Sequence, residues 1–324
     1  MWPLLRNNNP FTALVLLLAT LLLKWQSLRY ATSPEVVDAH FLFKAIVNFL
    51  KNILHWGPFA FTLAALIQIF IQALYLNFIA SKHKLFSHSS IFPALTYILL
   101  TSLAPNLNYF SEALLINWLV LWGIDICMDF AQTLEPRKKI FNAGMVLGIP
   151  LLIQYEAAST LLLLGVGLLL LRTFQPAEWF TGLLGFITPL YFLTGILFLV
   201  DNLSLFTIYF SHPPVAEYRA LSKTYWIMTL GGTGLLFSIG FYRFQQQTQR
   251  MVIYTRRKWL LILCYIIWSA IFLILSKQAW ILLFPGLSLL IAQSYYMEKT
   301  KWFRTFIFLF SCVLVIFSQI AFFK

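Results

Sequence analysis

Long apolar runs separated by short polar breaks dominate the chain. The runs fall near residues 10–27, 58–80, 90–104, 112–130, 140–154, 158–172, 179–200, 224–242, 259–276, 279–295 and 305–323. A helix needs roughly 20 apolar residues to cross the hydrocarbon of a bilayer, and fewer where the bilayer thins. The pattern therefore predicts an all-α fold, a polytopic transmembrane helical bundle of about eleven spans. The runs at 90–104, 140–154 and 158–172 are short. The last two could equally form a re-entrant pair, which leaves the sides of the other loops unchanged.

One segment follows a different period. Between 40 and 55 the polar residues are His40, Lys44, Asn48, Lys51, Asn52 and His55, with Phe, Leu, Ile and Val filling most positions between them. At helical spacing these polar positions share an arc of about 120°. The pattern predicts an amphipathic helix lying in the membrane surface between the first and second spans.

Composition supports the membrane class. Hydrophobic residues make up 60% of the 324 and charged residues only 10%, against about 25% charged in a soluble protein. A soluble fold could not hide that much apolar surface. The net charge of +12 would suggest nucleic acid on a soluble chain, but its distribution explains it otherwise. With the N-terminus inside, most of the 23 Lys and Arg fall in cytoplasmic segments: Arg6, Lys82, Lys84, Arg137–Lys139, Arg172, Arg243, Arg250, Arg256–Lys258, Lys299, Lys301 and Arg304. This bias predicts a cytoplasmic N-terminus, a periplasmic C-terminus and no nucleic-acid partner. The whole of 1–324 reads as a single integral membrane domain, with 243–258 as a basic cytoplasmic loop. The run after Arg6 lacks a nearby small-x-small cleavage site and reads as an uncleaved first span.

The acids distribute the other way. Glu35, Asp38, Glu112, Glu156, Asp201 and Glu217 fall outside or at outer helix ends, while Asp125 and Asp129 lie near an inner end. A site using carboxylates is therefore expected on the outer face. Asp38 and Glu35 precede the amphipathic helix, Glu112 opens the fourth span, and Glu156 interrupts two short apolar runs. Each has a plainer role open to it: a cap for Asp38, complementing the helix dipole for Glu112, a headgroup-level turn for Glu156. The outer loop 201–223 adds His212, Tyr218, Arg219 and Lys223, whose cations suit a lipid phosphate.

Other motifs carry less chemistry. Gly231-Gly232-Thr233-Gly234 lacks the strand and lysine of a phosphate loop, and it reads with Gly144, Gly148, Gly165 and Gly167 as small residues at helix contacts. Pro150 and Pro285 predict kinks. Cys127, Cys264 and Cys312 read as small buried apolar residues. The five histidines show no metal spacing and read as solvated or headgroup-contacting.

The order of these features resembles the polytopic C-type glycosyltransferases, which use polyprenyl-phosphate sugars. It matches as a first span, an outer loop bearing Glu35 and Asp38, the amphipathic helix His40–His55, a second span, and Glu112 in Tyr109-Phe110-Ser111-Glu112-Ala113-Leu114-Leu115. Pro136-Arg137-Lys138-Lys139 and Gly144–Glu156 resemble the passage that follows. The likeness covers roughly residues 1–200 and is architectural. Glu35-x-x-Asp38 replaces the adjacent acid pair usual in that family, and no soluble C-terminal domain is seen. The chain also resembles an uncharacterised family of bacterial multi-pass inner-membrane proteins.

The resemblance implies cell-envelope glycan assembly at the bacterial inner membrane, with a polyprenyl-phosphate sugar as donor and membrane lipids as surroundings. It implies Asp38 as general base, Glu35, Glu112 and Glu156 beside it, and Arg219 and Lys223 on the donor phosphate. A hard cation, Mg²⁺ or Mn²⁺, would suit such oxygen donors. Two other readings stay open: a non-catalytic scaffold holding a membrane protein partner in an export or assembly complex, and a transporter.

Overall fold

The computed structural model describes residues 10–34, 40–88, 90–103, 108–133, 135–204, 223–276, 279–296 and 301–323, and it holds no strand among them. The helices are α1 (Pro10–Leu23), α2 (Trp25–Arg29), α3 (Phe41–Asn52), α4 (Pro58–Lys82), α5 (Phe92–Thr101), α6 (Glu112–Met128) and α7 (Pro136–Ile153). They continue as α8 (Thr160–Leu171), α9 (Pro176–Leu199), α10 (Lys223–Thr248), α11 (Ile253–Ser276), α12 (Phe284–Tyr295) and α13 (Lys301–Phe323). Prolines open several of them. Pro58, Pro93, Pro136, Pro176 and Pro285 sit in first turns, where the missing N–H costs nothing. Pro285 therefore starts α12, where the apolar run alone suggested a kink inside a longer span.

Four stretches are long and apolar enough to cross a membrane: Pro58–Lys82, Pro176–Leu199, Ile253–Ser276 and Trp302–Gln319. They mark the chain as a helical membrane protein. The apolar helices at Thr12–Leu23, Phe92–Thr101 and Tyr155–Leu171 are shorter. At 1.5 Å per residue, α5 is only about 15 Å long, half a hydrocarbon core. Burial compensates for the short length. Every residue of α5 is buried, as is all of α12 except Leu287. These two helices pack on each other, with α4 on one side and α10 on the other. Longer helices thus screen the ends of the short ones from lipid, which is where interrupted backbone is tolerated at membrane depth.

Polar side chains inside this core answer one another. Tyr97 of α5 donates to Gln72 Oε1 of α4 at 2.7 Å, and Asn117 Nδ2 of α6 donates to the same oxygen at 3.0 Å. Gln72 Nε2 donates to the Leu114 carbonyl at 2.9 Å, and Thr96 Oγ1 reaches the Ser288 carbonyl of α12 at 3.1 Å. Four helices, α4, α5, α6 and α12, are therefore registered by buried hydrogen bonds.

Elsewhere small residues set the packing. Gly144 and Gly148 of α7 face the Gly182 carbonyl and the Phe186 backbone of α9, and Gly185 faces the Phe141 carbonyl. A side chain at any of these points would meet backbone, so the helices touch main chain to main chain. Gly167 meets Cys127, and Gly165 lies against Trp179. Gly232 abuts the Leu314 side chain, while at Gly231 and Gly234 no described residue lies within 4 Å of where a Cβ would stand. Cys127 is buried, and Cys264 and Cys312 are half-buried free thiols.

The amphipathic segment forms a helix, α3, with His40 as its N-cap residue. Its Phe43 and Val47 are buried against Phe61 and Phe110, whereas Phe49, Ile53 and Leu54 remain exposed. The apolar face is therefore shared between the protein and the surroundings.

Gly148→Leu should lower the melting temperature of the detergent-solubilised protein by several degrees, because the new side chain meets Phe186 backbone. Gly231→Ala should leave it unchanged or raise it, since no described residue stands where the methyl would go and alanine is worth up to about 1 kcal/mol over glycine within a helix. A thermal melt followed by size-exclusion chromatography separates the two.

Candidate functional site

Two glutamates meet at the start of α3. His40 leaves the preceding segment in an extended conformation, which directs both its backbone N–H and its ring toward the start of α6. Glu112, the first residue of α6, receives both. Its Oε1 accepts the His40 backbone N–H at 2.6 Å, and its Oε2 lies 2.8 Å from His40 Nδ1. Ser111 caps α6 with its hydroxyl, accepting the Leu114 N–H at 3.4 Å, so the glutamate is held at a defined helix end. On the other side of the ring, Glu156 Oε2 lies 3.7 Å from His40 Nε2. Glu156 projects from the 3₁₀ turn Tyr155–Ser159 between α7 and α8. The Tyr155 ring meets the imidazole edge-on at 5.6 Å.

The His40 side chain is 2% exposed and the two carboxylates 17% and 15%. Two acids from distant parts of the chain flank one ring, Glu112 within hydrogen-bond distance of it and Glu156 within ion-pair distance. Chemically, such a set can accept a proton, orient a hydroxyl or contribute oxygen ligands. Among the described residues no three His, Cys, Asp or Glu form a metal-holding group.

Lys24, between α1 and α2 in the chain, is buried. Its ammonium donates to Thr101 Oγ1 at 3.1 Å and to Asn108 Oδ1, and Asn108 Nδ2 donates to Ser27 Oγ at 3.0 Å. Gln319 of α13 ties the same end together, donating to the Leu23 and Ser102 carbonyls. In the sequence Lys24 is one of the minority of Lys and Arg outside the cytoplasmic segments, and nothing there marks it as buried.

Of the sequence-derived site residues, the structure brings Glu112 and Glu156 together. Glu35, Asp38, His212, Tyr218 and Arg219 lie outside the described residues. Lys223 opens α10, and its side chain is likewise outside the description. His40 was the residue misjudged. Its place on the polar stripe suggested solvent, but as N-cap it turns inward onto Glu112.

The opposite end of the same helices carries a second polar set. Asp125 of α6 accepts from Lys82 Nζ at 2.9 and 3.0 Å, from Tyr75 OH at 3.0 Å and from His83 Nε2 at 2.6 Å. Asp129 accepts from Lys82 at 3.0 Å and Lys139 at 2.9 Å. Lys258 Nζ of α11 lies 3.1 Å from His83 Nδ1. The ammonium can only donate, so Nδ1 is the acceptor and Nε2 carries the proton that goes to Asp125. Burial lowers the His83 pKa against the opposing pull of Asp125, and nearby Lys258 and Lys82 add to the lowering. The Asp125-x-x-x-Asp129 spacing, one face of one helix, was the available signal for this cluster; His83 had read as a loop histidine in solvent.

Along α6, at 1.5 Å per residue, Glu112 lies about 20 Å from Asp125 and about 25 Å from Asp129, most of the hydrocarbon thickness of a bilayer. Scans against protein-family models, curated proteins and solved structures return no match for the chain.

His83 stays neutral in the folded chain to lower pH than its ordinary 6.5. Unfolding therefore takes up a proton just below that value, and stability is lost as the pH falls through this window. Melting temperatures at about pH 8 and about pH 5.5 should show an acid loss in the wild type that His83→Gln partly removes.

Proposed function

We propose that the protein is a membrane-embedded transferase that takes a sugar from a polyprenyl-phosphate donor at the carboxylate end, facing the periplasm of a bacterial inner membrane, in cell-envelope glycan assembly. The supporting observation is the convergence of Glu112 and Glu156 on His40 at the start of the amphipathic helix. That is where the resemblance to C-type glycosyltransferases puts acceptor chemistry, and Asp38 lies two residues upstream of His40 in the sequence.

In this reading an acceptor hydroxyl attacks the anomeric carbon of the donor. The new bond is carbon to acceptor oxygen, and the bond that breaks is carbon to phosphate oxygen. Polyprenyl phosphate leaves, the anomeric configuration inverts, and the hydroxyl proton passes to Asp38 as general base. Glu112 and Glu156, with Glu35 nearby in sequence, orient the acceptor. Arg219 and Lys223, together with His212 and Tyr218, hold the departing phosphate. The oxygen donors also suit a hard cation such as Mg²⁺ or Mn²⁺. His40 acts through the glutamates as a positioning residue. Helix α3 lies at the lipid surface and guides the long prenyl chain, with exposed Phe49, Ile53 and Leu54 facing acyl chains.

The test is transfer from a short-chain polyprenyl-phosphate sugar by the purified protein in proteoliposomes. Asp38→Asn should lower kcat by about 10² or more, and Glu112→Gln should lower it while the protein stays monodisperse. Full activity in both variants would overturn the mechanism. A stoichiometric membrane partner that co-purifies, with indifference to these substitutions, would instead establish a scaffold.

A further inference from the structure

A cavity of about 360 Å³ opens at the cationic end of the molecule, where the turn after α4 meets the end of α12. Its polar lining consists of Lys84, His88, Tyr296 and the hydroxyls of Ser81, Ser87 and Ser90. No carboxylate lines it among the described residues. Asp125 and Asp129 are engaged by Lys139 and by Lys82 and His83, which directly precede Lys84 in the chain. The wall is rigid. Phe86 stacks on Tyr296 at 4.6 Å and 11°, and the Tyr296 phenol is hydrogen-bonded to Ser90 Oγ.

Lys84 is held at the rim by its neighbours in sequence. His83 is buried against Asp125 and Lys258. Leu85 is buried too, its N–H bonded to the Ala80 carbonyl at 3.0 Å and its own carbonyl accepting from Trp259 Nε1 at 3.1 Å. Between these anchors Lys84 takes a left-handed conformation with φ of 50°, uncommon for a lysine. The anchors on both sides keep an exposed cation beside a ring of hydroxyls. A lysine ammonium with hydroxyl donors around a small cavity matches a tetrahedral oxyanion, and basic pockets between helices at a membrane surface suit lipid head groups.

We propose that this cavity binds a phosphate group, from an anionic phospholipid headgroup or from a soluble phosphate ester, at the end of the molecule opposite the carboxylate set. The site is independent of the transferase reading.

The test uses the full chain in two arms. In the first, the protein is taken from vesicles of phosphatidylglycerol and phosphatidylcholine into mild detergent, and retained lipid is counted by mass spectrometry. In the second, glycerol 3-phosphate is titrated and its ³¹P line width followed. Lys84→Asn removes the charge and keeps a residue that tolerates the left-handed backbone; Lys84→Gly serves if the first variant aggregates. Lys138→Gln, at a side chain that is 74% exposed, removes an equal charge elsewhere on the same end. Phosphatidylglycerol retention should fall about five-fold in the Lys84 variant and stay unchanged in the Lys138 variant. Retention of lipid assigns the headgroup, and broadening by glycerol 3-phosphate alone assigns the soluble ester. Neither signal in the wild type, or equal losses in both variants, would overturn the proposal.

Discussion

Hydrocarbon offers no hydrogen bonds, so every polar group placed within it must find its partner in the protein. Most of this structure follows from that constraint. Helices α5 and α12 are too short to cross a membrane alone, and they survive as the most deeply buried elements, enclosed by longer neighbours. The Gln293 side chain of α12 is buried with no hydrogen-bond partner among the described residues, but Gln72, Tyr97, Asn117 and Thr96 bond to each other and to the Leu114 and Ser288 carbonyls. Their individual contributions are modest; leaving them unmade at depth would cost far more.

Where apolar burial gives no preference between protein and lipid, close packing decides which helices associate. The α7–α9 pair shows this directly, with Gly144, Gly148 and Gly185 admitting main chain to main chain. That contact fixes α7, and the turn after α7 carries Glu156. A stripe of absent side chains therefore bears on where a carboxylate sits, well away from the stripe itself.

Charge is divided between the two ends of the bundle, and each end uses it differently. At one, Glu112 and Glu156 flank a single buried imidazole. At the other, Asp125 and Asp129 are saturated by Lys82, Lys139 and His83, and Lys258 completes the set across to α11. The saturated end locks α4, α6, α7 and α11 together. The end with two acids on one ring retains chemistry able to act on a ligand.

The sequence by itself determined the class of the protein. Its apolar runs, its scarcity of charge and the stripe from His40 to His55 required a helical membrane protein with an amphipathic helix after the first apolar run, because composition and period are local properties. It also pointed to Glu112 and Glu156, since a carboxylate beside an apolar run stands out wherever it occurs. Tertiary structure alone decided that these two acids share one histidine, that His40 faces inward, and that Lys24 is buried against Asn108. It also decided that Asp125, Asp129, Lys82 and His83 form one network. Their partners lie tens to nearly two hundred residues away, and no period or spacing along a chain encodes which helix ends will meet. That choice belongs to the packing of the short buried helices among the long ones.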